Sequence, residues 1–279
     1  MKSKAPIPPL YDDQENLIMS DSNKANLFNS FFQNVFTQDD GRTIDQTTKK
    51  TIKMPNYDIS YTEILDAVQN SKDKISRTPD QIPMYFIKRV IGPILKPLLY
   101  LFNSFLKFNF VPKQWKQAIV IPIFKKGNKN KVQNYRPISL TSSFCRIFEY
   151  IMSKRILSHL QVNSLLSSKQ FGFLPNKSTY SNLLTCYHKW LISFSQNETT
   201  NVIYTDISKA FDTVSHSKLL VTLKNYGLHE TVISWLQNFL SKRSQQVAKW
   251  KCALYTSSCD QGCTTGRRYR STPIHFIHR

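Results

Sequence analysis

The run Ala118-Ile119-Val120-Ile121-Pro122-Ile123-Phe124 is apolar, rich in β-branched residues and too short for a helix, so it reads as a buried strand. Lys125-Lys126-Gly127-Asn128 closes it in a basic turn. A second run, Asn201-Val202-Ile203-Tyr204-Thr205-Asp206, has the same buried-strand character but closes on a carboxylate. Around these two runs the apolar residues return at helical spacing. Ala25, Leu27, Phe28, Phe31, Phe32 and Val35 mark an amphipathic helix over residues 21–36, and the polar stretch 37–50 after it reads as a loop. Ser60 and Glu63 form a capping box before Ile64, Leu65 and Val68. Pro79 and Pro83 punctuate a turn, and an apolar helix follows over residues 91–108. Further helices are marked by Phe144, Ile147, Phe148 and Ile151, and by Leu183, Leu184, Tyr187, Leu191 and Phe194, the latter opening near Ser178-Thr179. Both patterns predict core-facing helices. Two more helices are expected over residues 217–226 and 230–240. The fold class expected is α+β, with helices outnumbering strands.

Charge divides the chain unevenly. Residues 1–110 carry 14 basic and 12 acidic side chains, residues 111–155 carry 10 and 1, and residues 156–279 carry 14 and 5. The formal charge of +20 is therefore concentrated after Val111, where it is interleaved with Trp115, Phe124, Tyr135, Phe144, Phe148 and Tyr150. Cations beside aromatics suit a surface that neutralises phosphates and stacks bases. A solvated basic face is the plainer reading of a single charge run, but the excess here persists to the C-terminus and favours a nucleic-acid partner. No apolar stretch approaches the length of a membrane span, and residues 1–6 lack the apolar core of a secretory signal. Five cysteines, odd and sparse, fit a reduced compartment. An intracellular protein, nuclear or cytoplasmic and without a membrane partner, is expected.

A carboxylate closing an apolar strand is costly unless it is paired or binds a cation, so Asp206 is the first chemical candidate. It can cap a turn, with Asp212 paired to Lys209, or it can help to hold a hard divalent cation beside the basic groove, as in nucleotidyl transfer. The acidic pairs Asp12-Asp13 and Asp39-Asp40 read as loop residues, and no Gly-x-Ser-x-Gly elbow supports a hydrolase.

The segment Tyr204-Thr205-Asp206-Ile207-Ser208-Lys209-Ala210-Phe211-Asp212-Thr213-Val214-Ser215-His216 resembles the first catalytic-aspartate motif of reverse transcriptases from non-LTR, LINE-type retrotransposons. Ile121-Pro122-Ile123-Phe124-Lys125-Lys126-Gly127 with Asn134-Tyr135-Arg136-Pro137-Ile138-Ser139-Leu140 is similar to the fingers segment of that family. Gln170-Phe171-Gly172-Phe173-Leu174-Pro175-Asn176-Lys177-Ser178-Thr179 is similar to its next block. Residues 25–36 resemble the helix that joins endonuclease to polymerase in these elements. The resemblance covers roughly residues 8–251.

It implies the fingers and part of the palm of a right-hand polymerase, and a reaction in which a primer 3′-hydroxyl attacks a deoxynucleoside triphosphate on an RNA template. Asp206 would be a ligand of both catalytic metals, Mg²⁺ or Mn²⁺, and the Ile207 carbonyl a further ligand. Phe211 would lie under the incoming sugar, and Lys125 and Arg136 would touch the triphosphate. Asp212 and His216 match the motif in structural roles. The implied partners are an RNA template, a DNA primer and deoxynucleoside triphosphates.

Three departures from the family stand out. Ser76-Arg77-Thr78-Pro79-Asp80-Gln81-Ile82-Pro83 lacks the glycines that usually flank Pro-Asp, which would alter the turn. No Ala-Asp-Asp hairpin follows, and after Asp212 the only acidic residues are Glu230 and Asp260. From Gly262 the tail has neither apolar period, whereas its codons read one nucleotide forward are compatible at nearly every position with the family's Gly-Val-Pro-Gln block; a frameshift is the expectation. Cys259, Cys263, His275 and His278 have near-zinc-finger spacing without an apolar core between them, so no zinc is expected. The expected organisation is an N-terminal linker region of the endonuclease-to-polymerase connector type over residues 1–58, a partial reverse transcriptase domain, fingers and part of the palm, over 59–260, and an out-of-frame, disordered basic tail over 261–279. Either an RNA-directed DNA polymerase domain that is catalytically incomplete, or a non-enzymatic RNA- or DNA-binding remnant, fits this set.

Overall fold

The computed structural model describes residues 7–34, 52–56, 58–73, 78–206 and 214–247. Two short strands, β1 (Leu10–Tyr11) and β2 (Leu17–Ile18), pair antiparallel and lead into α1 (Asp21–Gln33). The helices α2 (Tyr61–Gln69), α3 (Met84–Arg89) and α4 (Ile91–Lys107) follow, then the strands β3 (Gln117–Phe124) and β4 (Tyr135–Leu140). Next come α5 (Ser143–Val162), α6 (Thr179–Ser195), α7 (His216–Asn225), α8 (Glu230–Leu240) and β5 (Ser244–Val247). The architecture is α+β. β3 is the middle strand of a three-stranded sheet, antiparallel to β4 and parallel to β5.

The larger core gathers around α5. The Phe148 ring meets Phe102 of α4 at 5.0 Å and Trp235 of α8 at 4.7 Å, and Trp115 lies 5.6 Å away. Polar ties fix the helices around this cluster. The capping box at Ser60 and Glu63 forms as expected, and the same Glu63 carboxylate accepts from Arg155 of α5 at 2.7 and 2.8 Å. His159 Nε2 lies 2.8 Å from the Tyr226 carbonyl, which joins the C-terminal half of α5 to the end of α7. A second core lies under the sheet, where Phe28 and Phe32 of α1 pack on Leu10, Val120, Val132 and Tyr135.

Two expectations fail in instructive ways. Residues 201–206 join no sheet, and Ile203 is 86% exposed. An isolated extended segment has no ladder partner for its backbone groups, however apolar its side chains, and none of the strands among the described residues pairs with it. The α6 pattern was expected to face a core, yet no residue of α6 is buried; Tyr180, Leu183, Leu184, Tyr187 and Phe194 are all exposed. Its capping box, Ser178 with Ser181, supplies local order without tertiary cover. Short strands with weak or broken alternation, β1, β2, β4 and β5, and the single-turn α3 gave no periodic signal of their own. The predicted polar loop over 37–50 and the tail from residue 248 onward lie outside the described residues.

Candidate nucleic-acid interface

The β3–β4 hairpin has two chemically distinct faces, set by strand alternation. Val120, Pro122 and Phe124 share one face with Tyr135, and α1 covers it; the Phe28 and Tyr135 rings meet edge to face at 5.0 Å. Ile119 opposite Leu140, Ile121 opposite Ile138 and Ile123 opposite Arg136 form the other face, which belongs to neither core. That face is an apolar strip ending in the exposed guanidinium of Arg136. Alternation carries Lys125 to the same side, and its backbone N–H donates to the Asn134 carbonyl at 2.8 Å. The two cations that the motif placed at a triphosphate therefore stand at one end of one face.

Between the strands the loop 125–134 is shaped by its asparagines. Gly127 has φ +88°, and a Cβ there would come within 2.9 Å of the Asn134 amide, so glycine is required twice over. The Asn134 side chain donates to the Asn128 carbonyl at 2.8 Å, and the Asn128 side chain accepts from the Asn130 N–H at 2.9 Å. These bonds leave Lys125, Lys126, Lys129 and Lys131 exposed together with Arg136. Among the described residues no ion pair neutralises any of the five. Five unpaired cations around an apolar strip make a surface for an anion that also has a flat face to stack.

The other predicted residues are placed less completely. Asp206 is exposed at the end of the unpaired segment 201–206. Ile207, Phe211 and Asp212 lie outside the described residues, and His216 opens α7 behind the Ser215 cap. Among the described residues no three His, Cys, Asp or Glu side chains gather as a metal site. Of the predicted metal donors, Asp206 is among the described residues and the Ile207 carbonyl is not. The cysteine and histidine set of the tail is likewise outside the described residues. In the block 170–179, Lys177 Nζ sits 5.0 Å from the Phe171 ring centroid, and Phe173 holds the left-handed conformation at φ 65°. A bulky residue there is strained, and this signal cannot be read from residue type. Sequence reasoning also passed over Lys129 and Lys131, although their spacing to Lys125 and Lys126 was in plain view.

Residues 123–268, just over half of the chain, match the family described as Reverse transcriptase (RNA-dependent DNA polymerase). The chain belongs to this family, and what it carries is an RNA-directed DNA polymerase domain of the non-LTR retrotransposon kind. It is 28% identical over 217 residues to a probable RNA-directed DNA polymerase from transposon BS of Drosophila melanogaster, covering 75% of this chain and 24% of that protein. It is 27% identical over 214 residues to the RNA-directed DNA polymerase from mobile element jockey of Drosophila funebris, covering 76% and 23%. With the Pol polyprotein from type-1 retrotransposable element R2 of Popillia japonica it shares 31% over 133 residues, 47% of this chain and 18% of that one. The chain spans about a quarter of the length of the first of these relatives. No helix among the described residues is long and apolar enough to cross a membrane.

Proposed function

We propose that this chain supplies the nucleic-acid-gripping part of a reverse transcriptase, the fingers and part of the palm of a right-hand polymerase. The β3–β4 hairpin holds template and triphosphate phosphates, and its partners are an RNA template, a DNA primer and deoxynucleoside triphosphates. The observation that carries this reading is the group of five exposed cations, Lys125, Lys126, Lys129, Lys131 and Arg136, with no ion-pair partner among the described residues, beside the apolar face of the hairpin. Lys125 acts as a point charge and Arg136 as a planar fork able to hold two phosphate oxygens. The stripe from Ile119 to Ile123 offers a dry surface against which a base or sugar can lie.

Asp206 is the family's first catalytic aspartate, with the Ile207 carbonyl as a further donor and Phe211 as the residue under the sugar. One carboxylate cannot clamp both the attacking and the leaving oxygen. That lone carboxylate favours a second reading, a nucleic-acid-binding chain without polymerase activity. The two readings share the first test and part at the second. Titration against single-stranded RNA should show affinity falling by orders of magnitude between about 50 and 200 mM salt. Arg136→Ala should weaken all sequences alike and reduce the slope of log affinity against log salt by about one charge. Absence of binding at low salt overturns both readings. Primer extension is expected at background; extension that depends on a divalent metal and is lost in Asp206→Ala would set the second reading aside.

A further inference from the structure

The basic loop is not held by its own strands alone. Ten residues, 125–134, separate β3 from β4, far more than a self-supporting hairpin turn needs, and the middle of this loop is fastened instead to the N-terminal segment. The Asn130 amide donates to the Pro9 carbonyl at 2.7 Å, and the Asn130 carbonyl accepts from the Tyr11 N–H at 2.9 Å. Tyr11 and Lys131 form a parallel bridge. Beneath them Leu10, wholly buried, shares a cluster with Val132 and Tyr135. The Tyr135 hydroxyl donates to the Lys129 carbonyl at 2.7 Å. Lys24 of α1 closes the assembly by donating to the Ile7 carbonyl at 3.0 Å. Asn130 thus lies between two of the loop's exposed lysines, and its side chain is spent on the N-terminal segment.

We propose that residues 7–34 are a brace that holds the basic loop in its binding conformation, with Asn130 as the positioning residue that latches it. Asn130 carries no charge for a phosphate. Its effect is to place Lys129 and Lys131 before the ligand arrives, so that binding does not have to order a ten-residue loop. The brace rests on the proposed nucleic-acid binding by that loop.

The test compares the full 279-residue chain with its Asn130→Ala, Tyr135→Phe and Lys129→Ala variants, using single-stranded RNA over a salt series and hydrogen exchange of residues 125–134. Asn130→Ala keeps every cation. It should raise exchange in the loop while leaving α5 protected, and weaken RNA binding about three- to tenfold with the salt slope unchanged. Tyr135→Phe keeps the ring against Phe28 and should do the same to a smaller extent, which covers the case of an Asn130 variant that does not fold. Lys129→Ala should instead lower the slope by about one charge. Unchanged loop exchange, or a loosened loop that binds RNA as before, overturns the brace alone. Failure of the unaltered chain to bind overturns the brace together with the binding reading.

Discussion

Helices α5 and α6 follow one another in the chain, run 20 and 17 residues and carry apolar side chains at helical spacing, yet twelve residues of α5 are buried and none of α6 is. The difference does not lie in their own ends, since both open on a serine whose hydroxyl accepts an N–H from the first turn. It lies in what is packed on them. α2, α4, α7, α8 and the loop before β3 share one apolar cluster with α5, and α2 adds an ion pair. Leu184 of α6, 68% exposed, has an apolar side chain comparable to the leucines of the core and little to place it against. Tertiary cover, rather than propensity, separates the two.

The largest effect expected is at the centre of α5. Phe148→Ala removes a ring that touches Phe102, Trp115 and Trp235, and should cost about 3–5 kcal/mol of stability, enough to unfold a marginal chain. Leu184→Ala on α6 should stay within about 0.5 kcal/mol. Urea unfolding of both variants reads the contrast directly. A cost at Leu184 approaching that at Phe148 would mean that α6 is covered in solution, and the comparison would break.

This contrast also marks how far the residues alone could be read. The capping box at Ser60, the strand over Gln117–Phe124 and the helices around Phe148 and Trp235 were legible because local signals and final packing agree there. The pattern of α6 gave its existence and its start at Ser178 but not its exposure, because periodicity reports an apolar face and not what meets it. Val202, Ile203 and Tyr204 show the same limit for a strand: composition is local, and a ladder partner is not. The motif singled out Lys125 and Arg136 for a triphosphate role that stands as proposed; the register sets Arg136 opposite Ile123, and strand alternation carries Lys125 to the same face. The hold of Asn130 on Pro9 was not legible, since residues separated by 121 positions meet only through the fold.

The next effect in size concerns the ion pair between Arg155 of α5 and Glu63 of α2, which has no counterpart on α6 among the described residues. Burial alone would raise the Glu63 carboxyl, but the Arg155 guanidinium and the Ser60 N–H outweigh it and hold the group below the usual glutamate range. A carboxyl depressed in the folded state contributes stability above its unfolded value, and that contribution is lost as pH falls through the depressed folded value. Hydrogen bonds to charged groups contribute about 1.5–3 kcal/mol, nearer the lower value here because Glu63 stays partly open to solvent. Glu63→Gln should therefore melt below the unaltered chain at neutral pH, and the gap should close in the acid range. A gap independent of pH would remove the ion pair from the account of why α5 is fixed.

The smallest effect tests how α5 is anchored at its start. Its cap, Ser142, donates to the Asp80 carboxylate, which also accepts from Thr78 and from the Ile82 N–H, so the turn at residues 78–82 is tied to the first turn of α5. Within that turn Gln81 sits at φ 57° and donates its N–H to the Thr78 carbonyl at 2.9 Å. The turn survives the missing glycines by forcing a side chain into the left-handed region, at about 1–2 kcal/mol. Gln81→Gly removes that strain but gives the unfolded chain about 0.5–1 kcal/mol of extra entropy, so a net gain of under about 1 kcal/mol is expected. A raised melting temperature with RNA affinity unchanged would fit a strain confined to the anchor of α5. A loss of stability would show that the Gln81 side chain makes a contact worth more than its backbone costs, and the anchoring of α5 would then include Gln81 itself.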